Sequence, residues 1–248
     1  MNLSFAGCGF LGVYHLGVAA GLSKSAPRFL KSIEAFAGAS AGSLIAAALA
    51  TSVPLEQCSH FVQDLAKEAR KKPLGPINPE FDLIGYLRGG LEKFLPHDGH
   101  EMATGRLYVS VTRLKDNRNV LLSQYDSREF LIETLLASCF IPIYAGLKFP
   151  QFDGQKWYDG GFTDNLPRPP HGKTILVSPF SGDSDICPED SSRVMAEFKW
   201  RNMSVSLNKD NAMRTQHILY PPNQQAFDKL YQAGYKDAVN YVTTKGLS

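Results

Sequence analysis

Residues 3–22 read LSFAGCGFLGVYHLGVAAGL, twenty positions from Leu3 to Leu22 without an Asp, Glu, Lys or Arg. An uncharged run punctured by glycines admits four readings: a secretory signal, a membrane span, a dinucleotide-binding turn or an oxyanion-forming loop. A secretory signal carries a positively charged start ahead of its apolar core, whereas only Met1 and Asn2 precede Leu3 and the first basic side chain is Lys24. A spanning helix needs ~20 mostly apolar residues, and Gly17 with Gly21 even matches the Gly-x-x-x-Gly pattern of paired helices. Against a span, Gly7, Gly9 and Gly12 crowd the first half, each costing ~1 kcal/mol relative to Ala inside a helix. LSFA ahead of them has the character of a short strand, so the run predicts strand, glycine turn and helix.

The rest of the chain narrows the class. Its 248 residues suit one large domain or two small ones, and the absence of repeats, low-complexity segments or an obvious linker favours a single domain. Hydrophobic residues at 44% and charged residues at 20% are ordinary globular usage. A net charge of +2 is too small to imply nucleic acid, and the densest basic cluster, Arg70-Lys71-Lys72, reads as a solvated helix end. Cys8, Cys58, Cys139 and Cys187 show no Cys-x-x-Cys spacing for zinc or a redox disulfide, which fits reduced thiols in a cytoplasmic protein.

Ile33 to Ala39 reads as a second buried strand running straight into GASAG, and SLIAAALA follows as a helix. Pro54 opens a helical pattern with Leu55, Cys58, Phe61, Val62 and Leu65 on one face, and Phe81 to Leu95 repeats it. RLYVSVTRL and NVLLSQY, parted by the turn-rich KDNR, alternate as a hairpin or adjacent strands, and Ser127 starts a helix. QKWYD and KTILVSPF are further strands. The C-terminal third is expected to be mainly helical, over Asn208 to Leu219 and Gln224 to Thr243. Strands alternating with helices predict an α/β domain with a mainly parallel central sheet flanked by helices, whose ligands bind beyond the carboxyl ends of the strands.

Two glycine turns follow two strands. Gly7-Cys8-Gly9-Phe10-Leu11-Gly12 satisfies Gly-x-Gly-x-x-Gly, but a dinucleotide site also asks for an acidic residue at the end of the next strand. Glu34 stands at that strand's start, and its end holds Gly38-Ala39-Ser40-Ala41-Gly42. This fits Gly-x-Ser-x-Gly, the nucleophile elbow, in which a strand turns sharply into a helix and lifts a serine hydroxyl out of the turn. A strained turn at Ser40 leaves no room for Cβ atoms at Gly38 and Gly42; tight packing alone is the competing reading. An elbow needs a base. In the usual order of serine, acid and histidine several strands precede the serine, whereas one clear strand precedes Ser40. None of His15, His60, His97, His100, His171 and His217 sits in a signature. Asp159-Gly160-Gly161, after the strand-like Gln155 to Tyr158, remains. Alone it reads as a hairpin turn; beside the elbow, its carboxylate at one strand end can reach Ser40 at another, with Gly160 and Gly161 permitting close backbone approach.

GCGFLG, GASAG and the DGG of DGGFTDNLP stand in an order that resembles the patatin-like phospholipase family. SFAGCGFLGVYHLGVA, GASAGSL, VTRL, FIPIYAGL, YDGGFTDNLP, VSPFSGDSDICP and the late YPP ahead of GYKDAVNYV resemble its animal subgroup of adipose triglyceride lipase, adiponutrin and their short relative. The likeness covers nearly the whole chain. It implies a patatin-like domain over residues 1–248, with three layers α/β/α and a Ser-Asp dyad of Ser40 as nucleophile and Asp159 as base. It also implies backbone N–H groups of Cys8 and Gly9 as the oxyanion hole, with Gly7 and Gly12 shaping that loop. An acyl-enzyme would be released by water, or transferred where another alcohol replaces water, with no metal or other cofactor. Many relatives carry Gly-Gly-Gly-x-Arg/Lys-Gly in the first loop; here Cys8 stands for a glycine and Leu11 for the basic residue. The missing cation points to neutral glycerolipids such as triacylglycerol. Phospholipid or retinyl-ester hydrolysis, and a weakly catalytic regulatory role at lipid droplets, are the alternatives.

Such an enzyme works peripherally at a droplet or membrane surface, and some members of the subgroup are switched by a protein co-activator or inhibitor. Candidate docking segments are Pro73-Leu74-Gly75-Pro76-Ile77, beside Arg70 to Lys72, and Ile141 to Phe152 with Tyr144, Leu147, Lys148 and Phe149. Burial of these loops is the competing reading.

Overall fold

The computed structural model describes residues 1–73, 75–78, 80–190, 194 and 196–247. Its strands are β1 (Asn2–Phe5), β2 (Ala35–Ala39), β3 (Leu107–Arg113), β4 (Arg118–Leu122), β5 (Gln151–Phe152), β6 (Gln155–Asp159), β7 (Thr174–Val177), β8 (Ala196–Trp200) and β9 (Met203–Leu207). Its helices are α1 (Gly12–Ser25), α2 (Pro27–Lys31), α3 (Ala41–Ala50), α4 (Leu55–Lys71), α5 (Leu83–Phe94), α6 (Gly99–Ala103), α7 (Arg128–Ser138), α8 (Lys209–Leu219) and α9 (Gln224–Lys245). The main sheet runs β5-β6-β3-β2-β1-β7, with β4 beside β3. β7, β1, β2 and β3 are mutually parallel, and β4, β5 and β6 add antiparallel pairings. Every residue of β1 and β2 is buried, as expected of parallel strands covered by helices on both faces. The sequence's α/β sheet is present, with the RLYVSVTRL and NVLLSQY segments forming the β3–β4 hairpin.

β3 is the strand on which the others are registered. β4 occupies one of its edges. On the other, β2 pairs in parallel as far as Ala39 opposite Ser110, and β6 then takes over in the opposite direction, with Asp159 opposite Val111. Two strands of opposite sense therefore meet end to end along one edge, their termini registered on adjacent residues of β3.

The opening stretch divides as expected into β1, a glycine turn and α1. α1 packs along α9, and Gly17 and Gly21 are the contact. A Cβ at Gly17 would collide with the Tyr231 carbonyl, one at Gly21 would crowd Tyr235 and Ala238, and Gly234 answers from the other helix against Tyr14. The Gly-x-x-x-Gly pattern thus serves a helix crossing inside the protein. Among the described residues no helix is long and apolar enough to cross a membrane.

One element departs from expectation. The C-terminal third is mainly helical but also holds the β8–β9 hairpin. Its signal is weak for two reasons. Every residue of β8 is exposed, so no alternation of burial constrains its sequence. Its tip is Arg201-Asn202, both at positive φ, a conformation usually marked by Asn-Gly or Asp-Gly.

Candidate active site

Ser40 lies between β2 and α3 with φ +51° and ψ −131°, a conformation that non-glycine residues adopt only under constraint. The constraint is visible on every side. Its N–H donates to Ser138 Oγ (2.9 Å), whose hydroxyl in turn donates to the Ser110 carbonyl (2.8 Å), and Ser43 Oγ donates to the Ser40 carbonyl (2.7 Å). A Cβ at Gly38 would collide with Gly42, and one at Gly42 with the Phe5 carbonyl. The turn is therefore a built elbow aimed at the N-terminus of α3, whose dipole favours negative charge. Ser138, at the end of α7, is a supporting residue that the sequence does not mark. Ser138→Ala should leave the buried Ser40 N–H unpaired and lower unfolding stability by roughly 1–3 kcal/mol, measured by denaturant titration.

Asp159 ends β6 and is 4% exposed. It accepts from the Gly161 N–H (2.7 Å), and the nearby Ser40 hydroxyl favours its ionised form. Burial nevertheless pushes its pKa up to about 7, because desolvation outweighs the favourable effects of the Ser40 hydroxyl and the Gly161 N–H. Its own backbone is tied to Phe140 through N–H···O=C (2.9 Å) and to Thr112 Oγ1, which donates to its carbonyl (2.8 Å). Gly160 to Phe162 form a 3₁₀ turn, so Asp-Gly-Gly is not a hairpin turn. A Cβ at Gly160 would collide with the Ser110 carbonyl, and one at Gly161 would stand 2.6 Å from Asn165 Oδ1.

The glycine loop lies beside Ser40. A Cβ at Gly7 would come within 3.3 Å of Ser40 Cβ, one at Gly12 within 3.1 Å of Ala41 Cβ, and Gly9, at φ +56°, packs under the Ile218 carbonyl at the end of α8. Gly7 is clamped by Asn165, which accepts from its N–H through the main chain (3.0 Å) and donates Nδ2 to its carbonyl (3.1 Å). Asn165 thus holds the loop and borders the Asp159 turn, a role the DGGFTDNLP motif contains but does not announce. Among the described residues the N–H groups of Cys8 and Gly9 find no hydrogen-bond partner. The Cys8 and Leu11 side chains turn away into a second core with Leu166, Phe180 and Met203. Neither lines the space beside Ser40, so a substrate preference does not follow from their side chains.

That space is a cavity of about 160 Å³ lined by Gly9, Gly12 and Ser40, by residues of α3, α4 and α5 including Phe61, Gly90 and Phe94, and by Tyr144 and Ile218. Among the described residues no charged side chain and no histidine lines it. His15 is buried elsewhere in α1, donates Nε2–H to the Ala6 carbonyl (2.8 Å), and is held by burial at a pKa of about 4, so it is a neutral packing residue. Among the described residues no three His, Cys, Asp or Glu side chains gather as a metal-binding group.

The site thus combines a strained serine at a strand-to-helix turn, a buried carboxylate beside it and an apolar cavity, the parts an ester hydrolase needs. The family model described as "Patatin-like phospholipase" matches residues 3–170. The chain belongs to this family, and with it to the enzymes that hydrolyse lipid esters or transfer their acyl groups. It is 44% identical over 243 residues to human patatin-like phospholipase domain-containing protein 4, covering 98% of this chain and 96% of that protein. It is 45% identical over 246 residues to mouse patatin-like phospholipase domain-containing protein 2, covering 99% of this chain and 51% of that protein. Among solved structures, VipD from Legionella pneumophila has a similar fold, with TM-score 0.56 and 12% identity, over 98% of this chain and 66% of that one.

Proposed function

We propose that residues 1–248 act as one serine acyl hydrolase with a Ser40–Asp159 dyad, cleaving neutral glycerolipids such as triacylglycerol. The observation that carries this reading is the pairing of a strained Ser40 with a buried Asp159 whose pKa of about 7 suits a general base near neutrality. Residues beyond the family match belong to the same unit, since β7 pairs with β1 and Ile218 lines the cavity.

In this mechanism Asp159 takes the Ser40 proton as Oγ attacks the ester carbonyl carbon. The negative charge on the carbonyl oxygen is received by the unpaired N–H groups of Cys8 and Gly9, helped by the α3 dipole. Collapse breaks the bond to the glycerol oxygen, which leaves with the proton from Asp159. Water, deprotonated in turn by Asp159, then releases the fatty acid and restores Ser40. A lipid alcohol in place of water gives transacylation. The neutral preference rests on the cavity lining, which offers no cation to a phosphate.

Action at a lipid surface, peripherally and without a span, is supported by the cavity's surroundings. Tyr144, which lines the cavity, donates its hydroxyl to the Leu219 carbonyl (2.6 Å), and the Tyr220 ring packs on Gly75. These contacts join the 75–78, 141–149 and 218–220 segments into one rim carrying exposed Ile77, Ile143 and Leu147, at 58%, 84% and 83% exposure. Of the expected docking residues, Leu74 lies outside the described residues, and Phe149 packs instead against Phe140 and Tyr158. Leu147→Glu should weaken flotation with triolein droplets by about tenfold and leave hydrolysis of a soluble butyrate ester unchanged; unaltered flotation would remove Leu147 from the rim's function.

The substrate is tested by incubating the purified chain with triacylglycerol, monoacylglycerol, phospholipid and retinyl ester together and identifying all products, transacylation products included. Triacylglycerol consumed fastest is the expected result. Phospholipid consumed faster would overturn the neutral preference.

A further inference from the structure

The cavity beside Ser40, of about 160 Å³, is lined almost wholly by apolar residues. The region beyond the cavity is not solid core. Phe61, Gly90 and Phe94, on α4 and α5, line this cavity and also line a second, open cleft between the two helices, bordered outside by Asp64, Tyr86, Gly89 and Lys93. The two spaces share Phe61, Gly90 and Phe94 as common lining.

That wall is built to yield. The Phe61 ring meets Phe94 edge-on (centroids 5.9 Å) and Tyr86 at a tilt (5.4 Å), and it lies on Gly90, where a Cβ would overlap it. α5 carries Gly85, Gly89 and Gly90 within twelve residues. Glycine in a helix interior costs roughly 1 kcal/mol relative to Ala, and nothing stands within 4 Å of a Cβ at Gly89. Gly90 is therefore demanded by the Phe61 ring, whereas Gly89 meets no steric demand and softens the helix beside it.

We propose that the wall of Phe61, Phe94 and Gly90 is a gate, and that the α4–α5 cleft is a distal subsite receiving the methyl end of a long acyl chain. The proposal rests on the reading of Ser40 as the acyl-accepting nucleophile. With the gate closed the enzyme accommodates short and medium chains. With the Phe61 ring turned aside the tail passes over Gly90 into the outer cleft, where Tyr86 and the stem of Lys93 cover it. Chain-length preference is then set at the wall, far from the reacting atoms.

The test uses two variants outside the catalytic machinery and a series of 4-nitrophenyl esters from butyrate to palmitate. Gly89→Phe fills the outer cleft without entering the inner cavity. It should leave the butyrate kcat/KM unchanged and lower the palmitate value by about tenfold or more. Phe61→Ala should open the gate and raise the palmitate-to-butyrate ratio by a similar factor, about tenfold. A palmitate-to-butyrate ratio unchanged in folded Gly89→Phe would overturn the distal subsite, whatever Phe61→Ala does. Binding of the eighteen-carbon fluorescent fatty acid cis-parinaric acid to Ser40→Ala protein keeps the two readings apart. Gly89→Phe added to that background should weaken binding about tenfold even if Ser40 proves not to be the nucleophile. Unchanged binding there would overturn the subsite while leaving the hydrolase reading intact.

Discussion

Ser40→Ala is expected to lower hydrolysis of a soluble ester by about 10,000-fold or more and to abolish covalent labelling by a fluorophosphonate. The probe's phosphorus accepts the serine oxygen as fluoride leaves, so labelling reports an activated hydroxyl whatever the natural lipid is. The expectation comes from three features that converge on one atom. The backbone of Ser40 is held at φ +51° by Ser138 and Ser43, its hydroxyl meets a buried carboxylate, and the α3 N-terminus begins at the next residue. The alanine variant keeps the Cβ and the elbow and should fold as the parent does. Labelling that persists in Ser40→Ala would assign the nucleophile to another residue.

Asp159→Asn should lower kcat/KM by about 100- to 10,000-fold and raise stability above neutral pH. The first effect is loss of the base. In the parent protein, activity should rise with pH as the carboxyl ionises, with an acidic limb centred near its pKa of about 7. The second effect comes from the same burial. Between the unfolded carboxyl's pKa of ~4 and about 7, the native protein keeps a proton that the unfolded chain has lost. Stability present below the unfolded value is therefore lost as pH rises through the folded value. Asparagine never ionises, so the variant should match the parent in denaturant at pH 4 and exceed it at pH 8 by a few kcal/mol, on the order of 1.36 kcal/mol per unit of pKa shift. Equal stability of the two at pH 8 would contradict the buried, charged state on which the mechanism depends.

Much of this site is legible in the chain. GASAG and DGG combine residue types that chemistry constrains with glycines that sterics constrain, and the structure gives each glycine a neighbour that a Cβ would strike. Leu11 and Cys8 read differently. A sequence position in a glycine loop carries no direction, and both side chains turn into the second core, away from the cavity. Ser138 and Asn165 were silent as functional residues because their importance lies in side-chain hydrogen bonds to main-chain groups 98 and 158 residues away. No local pattern encodes such a partner.

By itself, the sequence marked the strand-turn-helix at residues 3–22, the elbow at Ser40, the carboxylate at Asp159 and the mainly parallel α/β sheet that carries them. These are local rules of periodicity, turn sterics and residue chemistry. Only the tertiary structure decided that β2 and β6 end on adjacent residues of β3, that Asp159 is buried enough for its pKa to climb to about 7, and that the Gly17–Gly21 pattern faces α9 inside the protein. It also decided that Phe61, Gly90 and Phe94 line both the cavity beside Ser40 and the outer cleft between α4 and α5. Register, desolvation and cavity shape arise from segments distant in the chain, and the free energy of each depends on what packs against it.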